Sequence, residues 1–171
     1  MMTSSDAASG DVSAPSDGDA ATQAVVGVGS MVMGDDGVGY HAVEALADRP
    51  LPDDAIATHA GTTAFLALEA MSGADRAVVV DALSLDDEPG TVREFRLTDP
   101  AEEAPEVTMH DFSFGDALAV GDAAYDLPEE VLLVGAVPHS VEPRVGLSDP
   151  VEAALPELVS RIETRLTANP P

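Results

Sequence analysis

The chain has 171 residues and no cysteine, which excludes disulfides, thiolate metal sites and a cysteine nucleophile. Hydrophobic residues make up 45%, enough for the core of one domain, but aromatics only 4%, so Val, Leu, Ala, Ile and Met must build that core. Seven basic residues, all arginine, against 32 acidic ones give a formal charge of -25, which argues against a phosphate-backbone partner and fits a surface adapted to high salt.

Residues 1–22 are rich in Ser, Ala, Asp and Gly without periodicity, and are expected to form a disordered acidic tail ahead of a single domain over 23–168. Residues 24–28 read as a short buried strand, and 38–47 as a helix with Val38, Ala42, Val43 and Leu46 on one stripe, ending before Arg49-Pro50. A second strand over 55–59 leads to a helix over 64–71, closed by Ser72-Gly73. Residues 77–80 are wholly apolar, as in a strand covered on both faces. An alternating edge strand follows at 90–97, a helix at 112–120, a buried strand at 131–137 and a closing amphipathic helix at 150–166. This alternation predicts an α/β three-layer sandwich: a twisted, mostly parallel sheet with one antiparallel edge strand and helices on both faces. In such a sheet ligands sit outside the carboxyl ends of the strands. There is neither a secretory signal pattern nor an apolar run of the roughly 18–20 residues a membrane helix needs, so a cytoplasmic monomer is expected.

The sharpest local feature is Gly27-Val28-Gly29-Ser30-Met31-Val32-Met33-Gly34-Asp35-Asp36-Gly37-Val38-Gly39, placed between a strand and a helix. Its glycine spacing departs from a dinucleotide loop, and Asp35 and Asp36 would repel a pyrophosphate. Carboxylates at a helix start suit a cation; the plainer alternative is that both cap the helix. Asp81 leaves the third strand at its carboxyl end and faces the same crevice, though alone it also fits a turn. His110, in Val107-Thr108-Met109-His110-Asp111, stands just before a helix, where capping or packing is the plainer role. Together these two carboxylates and one imidazole on a shared rim form an oxygen and nitrogen set with open positions on a first-row metal. Zn, Ni, Co or Fe(II) would suit it better than Ca. His59 ends the second strand close enough to support such a site, His41 lies on the first helix, and His139 follows Pro138 in a loop. Gly29-Ser30-Met31 is not a Gly-x-Ser-x-Gly elbow, and no His-Glu-x-x-His helix is present.

Taken in order, these blocks resemble the hydrogenase maturation proteases, endopeptidases that trim the C-terminal extension from the large subunit of nickel-iron hydrogenases. Residues 27–39 resemble the family's glycine-rich block, Ala60-Gly61-Thr62 its Gly-Gly-Thr loop, and Val78-Val79-Val80-Asp81-Ala82 its strand-then-Asp block. Met109-His110 resembles its histidine segment, and Val134-Gly135-Ala136-Val137-Pro138 with Gly146-Leu147-Ser148 its C-terminal signature. The resemblance covers roughly residues 24–166. It implies that Asp36, Asp81 and His110 bind metal and carry catalysis, and that His59, Gly61 and Thr62 belong to a loop that reads the substrate. No cofactor would be held permanently. The ion would be the nickel of the substrate, with another divalent metal able to serve in vitro, and the partner the large-subunit precursor, with neither nucleic acid nor membrane. Two departures from the family pattern stand out, Ser30 for Asn and His59-Ala60 for Asp-Gly, whereas Asp36 in place of Glu is a variation the family allows. A non-catalytic, metal-dependent binding protein of the same fold is the alternative, and the His59 loop is the feature that favours it.

Overall fold

The computed structural model describes residues 22–98, 108–109 and 112–168. The expected tail lies outside them except for Thr22, which belongs to the folded body: its N–H and hydroxyl donate to the Asp75 carboxylate at 2.6 and 3.2 Å. The elements in chain order are β1 (Gln23–Gly27), α1 (Val38–Ala47), β2 (Ala55–His59), α2 (Ala64–Met71), β3 (Arg76–Ala82), β4 (Val92–Arg96), β5 (Thr108–Met109), β6 (Phe112–Ser113), α3 (Phe114–Gly121), β7 (Glu130–Ala136) and α4 (Asp149–Thr167). A 3-10 turn over Gly34–Gly37 introduces α1.

Five strands form one sheet in the order β2-β1-β3-β7-β4, parallel except for β4, which pairs antiparallel with β7 at the edge. This is the predicted mixed α/β sheet. Period-two alternation explains its layers. Val26, Val79 and Leu133 pack with α2 and α3, whereas Val25, Val78, Val80, Leu132 and Val134 pack with α1 and α4. β1, β3 and β7 are thus covered on both faces, which is why their segments read as unbroken apolar runs. Among the described residues no helix is long and apolar enough to cross a membrane.

Several boundaries shift by a residue or two from the sequence pattern, that of β4 among them, and two shifts have a clear physical reason. β3 continues through Asp81 and Ala82, which stay in register with Gly135 and Ala136; the polar side chain ends the apolar run but not the strand. The helix expected from residue 112 starts at Phe114, because its buried stripe of Phe114, Ala117 and Gly121 begins there. Phe112–Ser113 instead pairs antiparallel with Thr108–Met109.

The connection from β1 leads to β2 on one side, and the return to β3 lands on the other side of β1. The helices diverge onto opposite faces there, leaving a crevice at the carboxyl ends of β1 and β3. α1 is seated directly on those ends. A side-chain carbon on Gly39 would collide with the carbonyl oxygens of Val28 and Val80, and one on Gly27 with the Gly39 carbonyl and Val43. The expected result for Gly39→Ala is a loss of about 1–3 kcal/mol, since rigid backbone must move to admit the methyl group. Gly73→Ala, with nothing within 4 Å, meets only the strain of its φ of 83°. Paired urea melts at one salt concentration should rank Gly39→Ala as the less stable variant.

Candidate active site

The loop leaving β1 carries Asp35 and Asp36 in the 3-10 turn, where successive side chains point about 120° apart. One therefore goes inward and the other toward the crevice. Neither caps α1, whose N-cap is Gly37 without a side-chain cap bond, so the plainer reading of this Asp-Asp pair does not hold.

Asp35 is 1% exposed. Its Oδ2 accepts the N–H groups of His139 and Ser140 at 2.8 and 3.0 Å and the Ser148 hydroxyl at 2.7 Å, while Oδ1 accepts the Ser148 N–H at 2.7 Å. Burial pushes the carboxyl upward, but the donors from Ser148, Ser140 and His139 outweigh it and hold Asp35 below its ordinary value. Ser148 is the N-cap of α4, so the anion also lies at the positive end of a 19-residue helix. Asp35 thereby ties the glycine-rich loop to the 139–148 loop. Backbone bonds reinforce the tie: Asp35 N–H to Ser140 O at 3.0 Å, Gly34 N–H to Arg144 O at 2.9 Å, and Arg144 N–H to Val32 O at 3.0 Å.

Asp36 is partly exposed, and its Oδ2 accepts the Ser30 N–H at 2.7 Å. Gly29 permits this fold-back: it has a φ of 106°, and a side chain there would run into the Asp36 carbonyl. Asp81, 7% exposed, accepts the Ala82 N–H on Oδ1 at 2.8 Å. Burial pushes the Asp81 carboxyl well above the usual range; the Ala82 N–H opposes this, and the charge of Asp36 adds to it. Asp36 and Asp81 therefore form an interacting carboxylate pair at the head of the crevice. Among the described residues nothing donates to the second oxygen of either. Nor does any group of three described His, Asp or Glu side chains form a metal-holding cluster. The third predicted member, His110, lies outside the described residues.

His59 stands beside this pair. Its Nε2 is 2.9 Å from Gly29 O, and since a carbonyl only accepts, Nε2 carries the proton in that bond. The ring also meets Tyr40 edge-on at 5.4 Å. The Ala60 N–H to Gly27 O and Gly29 N–H to Gly61 O bonds, 2.8 and 2.9 Å, fasten the loop to the glycine block. Thr58, His59, Gly61, Leu66 and Glu69 line a groove on its outer side, and Thr62 is partly exposed next to it. His41 lies against Tyr40, away from the pair, and His139 contributes its backbone N–H to Asp35. The role of Asp35 and Ser148 is what the sequence reading missed. Ser148 ahead of Asp149-Pro150 was visible as a helix start, but its partner lies 113 residues away.

A model of the hydrogenase maturation protease family matches residues 40–165, a span that includes Asp81 and His110 and begins just after Asp36. Hydrogenase 2 maturation protease of Escherichia coli is 31% identical over 141 residues, covering 81% of this chain and 86% of the relative. Coenzyme F420 hydrogenase subunit delta of Methanothermobacter thermautotrophicus is 31% identical over 149 residues, covering 81% of this chain and 90% of the relative. The solved structure of the hydrogenase maturating endopeptidase HybD from E. coli superposes with a TM-score of 0.72 at 28% identity, covering 85% of this chain and 91% of the other.

The two buried aspartates should respond oppositely to amide substitution. Asp35→Asn removes the charge and turns one acceptor oxygen into an NH2 group that faces a buried N–H, and should cost about 3 kcal/mol at neutral pH. Asp35 has a depressed folded value, so its contribution is present above the ordinary 3.8 and fades as pH falls through the folded value. Asp81 has a raised folded value, so its ionisation subtracts stability as pH rises from 3.8 through that value. Asp81→Asn should therefore stabilise the protein at neutral pH, with the gain disappearing toward pH 3.8. Denaturant melts of both variants across pH check the two signs.

Proposed function

The chain belongs to the hydrogenase maturation protease family and is an endopeptidase; from that premise we propose that it cuts the C-terminal extension from a nickel-loaded hydrogenase large-subunit precursor, gripping the precursor's nickel through Asp36, Asp81 and His110. The observation that carries this reading is the Asp36–Asp81 pair: two carboxyl groups at the carboxyl edge of a parallel sheet, each with one oxygen fixed by a backbone N–H and, among the described residues, no donor to the other. A divalent cation is the partner that relieves such a pair.

The ion arrives with the substrate. Ligating it fixes the adjoining polypeptide over the crevice, and this proximity can supply several kcal/mol of the barrier. Hydrolysis then needs a water at the scissile carbonyl and an acceptor for its proton, and the free oxygens of the pair are the acceptors on this rim. Among the described residues no histidine is hydrogen-bonded to a serine or threonine hydroxyl, which speaks against a serine-type nucleophile. His59 and Gly61, which line the neighbouring groove, and Thr62 next to it are assigned to substrate reading.

The test uses purified protein in molar salt with nickel-loaded and nickel-free precursor, reading the trimmed tail by mass. Wild type should cut only the loaded form, and Asp36→Asn, Asp81→Asn and His110→Ala should each slow cleavage by about 100-fold or more. Native rates in all three variants would end this reading. Because Asp81 must lose its proton before it can bind a cation, nickel affinity should rise with pH through the raised Asp81 value, and titration calorimetry over that range measures it.

A further inference from the structure

The rim beside the carboxylate pair carries a second recognition element. Six of the seven arginines are ion-paired: Arg49 with Glu163, Arg76 and Arg96 with Glu130, Arg93 with Asp87, Arg161 with Glu157, and Arg165 with Glu94. Arg144 is the exception. Among the described residues no carboxylate lies within ion-pair distance of it, although the chain has 32 acidic residues and Glu142 stands two positions away. Its Nη2 donates to Leu147 O at 3.1 Å, which anchors the side chain and leaves the rest of the guanidinium fork open on an exposed loop.

The surroundings of Arg144 differ from the rest of the surface. Among the described residues eight large hydrophobics are exposed, and four of them, Met31, Val32, Val141 and Val145, lie in the two loops that meet at Arg144. Val32 and Val145 are 54% and 82% exposed. These loops are not loose. Met33 and Arg144 form a parallel bridge, and the buried Asp35 carboxylate pins both loops from below. The patch is continuous with the catalytic crevice, because the loop that presents Met31 and Val32 also supplies the Ser30 N–H that orients Asp36. An arginine and a methionine among exposed aliphatics, on a rigid rim, have the composition of a recognition surface.

We propose that Arg144, framed by Met31, Val32, Val141 and Val145, is a specificity-determining residue that pairs with an acidic side chain of the precursor segment entering the crevice. This rests on the function proposed above. The aliphatic frame takes the apolar neighbours of that acidic residue and excludes water from the pair. Shielding of this kind lets an ionic contact persist in salt that would screen an open one. The fork geometry of Arg144 also favours a carboxylate held by two N–H groups.

Cleavage kinetics of Arg144→Gln and Arg144→Lys on nickel-loaded precursor, in molar salt, test the assignment. For Arg144→Gln, KM should rise about fivefold with kcat within about twofold and the melting temperature unchanged. Arg144→Lys should recover part of the loss. Neutralising the acidic side chains near the cleavage site one at a time should identify one whose loss raises KM for wild type by the same factor and has no added effect on Arg144→Gln. Wild-type KM in both Arg144 variants would overturn the assignment. So would a precursor in which no acidic side chain matters, since the occupant would then be the terminal carboxylate, the enzyme's own tail or a second copy. If wild type itself fails to cut loaded precursor, the functional reading fails instead, and the two failures stay separate.

Discussion

One buried anion organises the functional end of the molecule. Asp35 has almost no contact with solvent, yet it is held in its charged form because four donors from the 139–148 stretch converge on its two oxygens. An ionised carboxylate in such a place is costly unless every lone pair finds a donor, and here the donors are mostly backbone N–H groups already fixed by the fold. The same bonds satisfy the N-cap N–H of α4 and set the path of the loop that returns beside Val32 and Gly34. The 3-10 turn then does the rest. With Asp35 locked inward, Asp36 is rotated outward to the crevice, and its position depends on a contact it does not make.

Asp81 is buried as well, but its electrostatic situation is the reverse. Among the described residues it has one donor, from its immediate neighbour, and the charge of Asp36 further disfavours its ionisation. The difference between the two lies in the supply of donors, not in burial. Asp35 lies where a helix begins and a loop turns back, so N–H groups point at it. Asp81 lies near the end of a strand whose N–H groups serve the sheet ladder, apart from that of Ala82, which turns to its carboxylate. Under the proposed function, a carboxylate left short of donors at a strand end is one whose charge the substrate's cation compensates. The stability it forgoes is the kind that functional sites give up.

Most of the fold was legible because it rests on short-range periodicity. The bounds of α1, β2 and α2 follow from apolar spacing and from Pro50 and Gly73 as terminators, and the unbroken runs at 77–80 and 131–134 marked the doubly covered strands. The placement of Asp36 and Asp81 on one rim was legible for a related reason: in a parallel sheet the carboxyl ends share one edge, so a polar residue at the end of a strand or in the loop that follows it is placed there by topology. What stayed hidden depends on long-range pairing. Nothing in Asp35-Asp36 tells which of the two turns inward, because the deciding donors are His139, Ser140 and Ser148, more than 100 residues later. The start of α3 stayed hidden because Phe112–Ser113 is taken into a strand pairing with Thr108–Met109, a contact the local apolar pattern does not announce. Arg144 stayed hidden because its distinction is the absence of a carboxylate partner among the described residues, which only coordinates reveal.

Under the proposed function, discrimination between loaded and unloaded precursor needs no separate sensor. Specificity is a difference between two binding free energies, and a repulsive element against the wrong partner contributes as much as an attractive one for the right partner. A precursor that arrives without its cation brings nothing to draw the proton from Asp81 or to offset the charge that would then face Asp36. Its polypeptide must then lie over a pair of carboxylates that would be desolvated further by its approach, which raises the cost of burying them. The loaded precursor reverses both terms at once, because the ion is attracted to the pair and takes the place of the lost water. The more donor-poor the pair in the free enzyme, the wider this gap becomes. A site that satisfied Asp81 internally, as Asp35 is satisfied, would gain stability and lose the means of telling the two precursors apart.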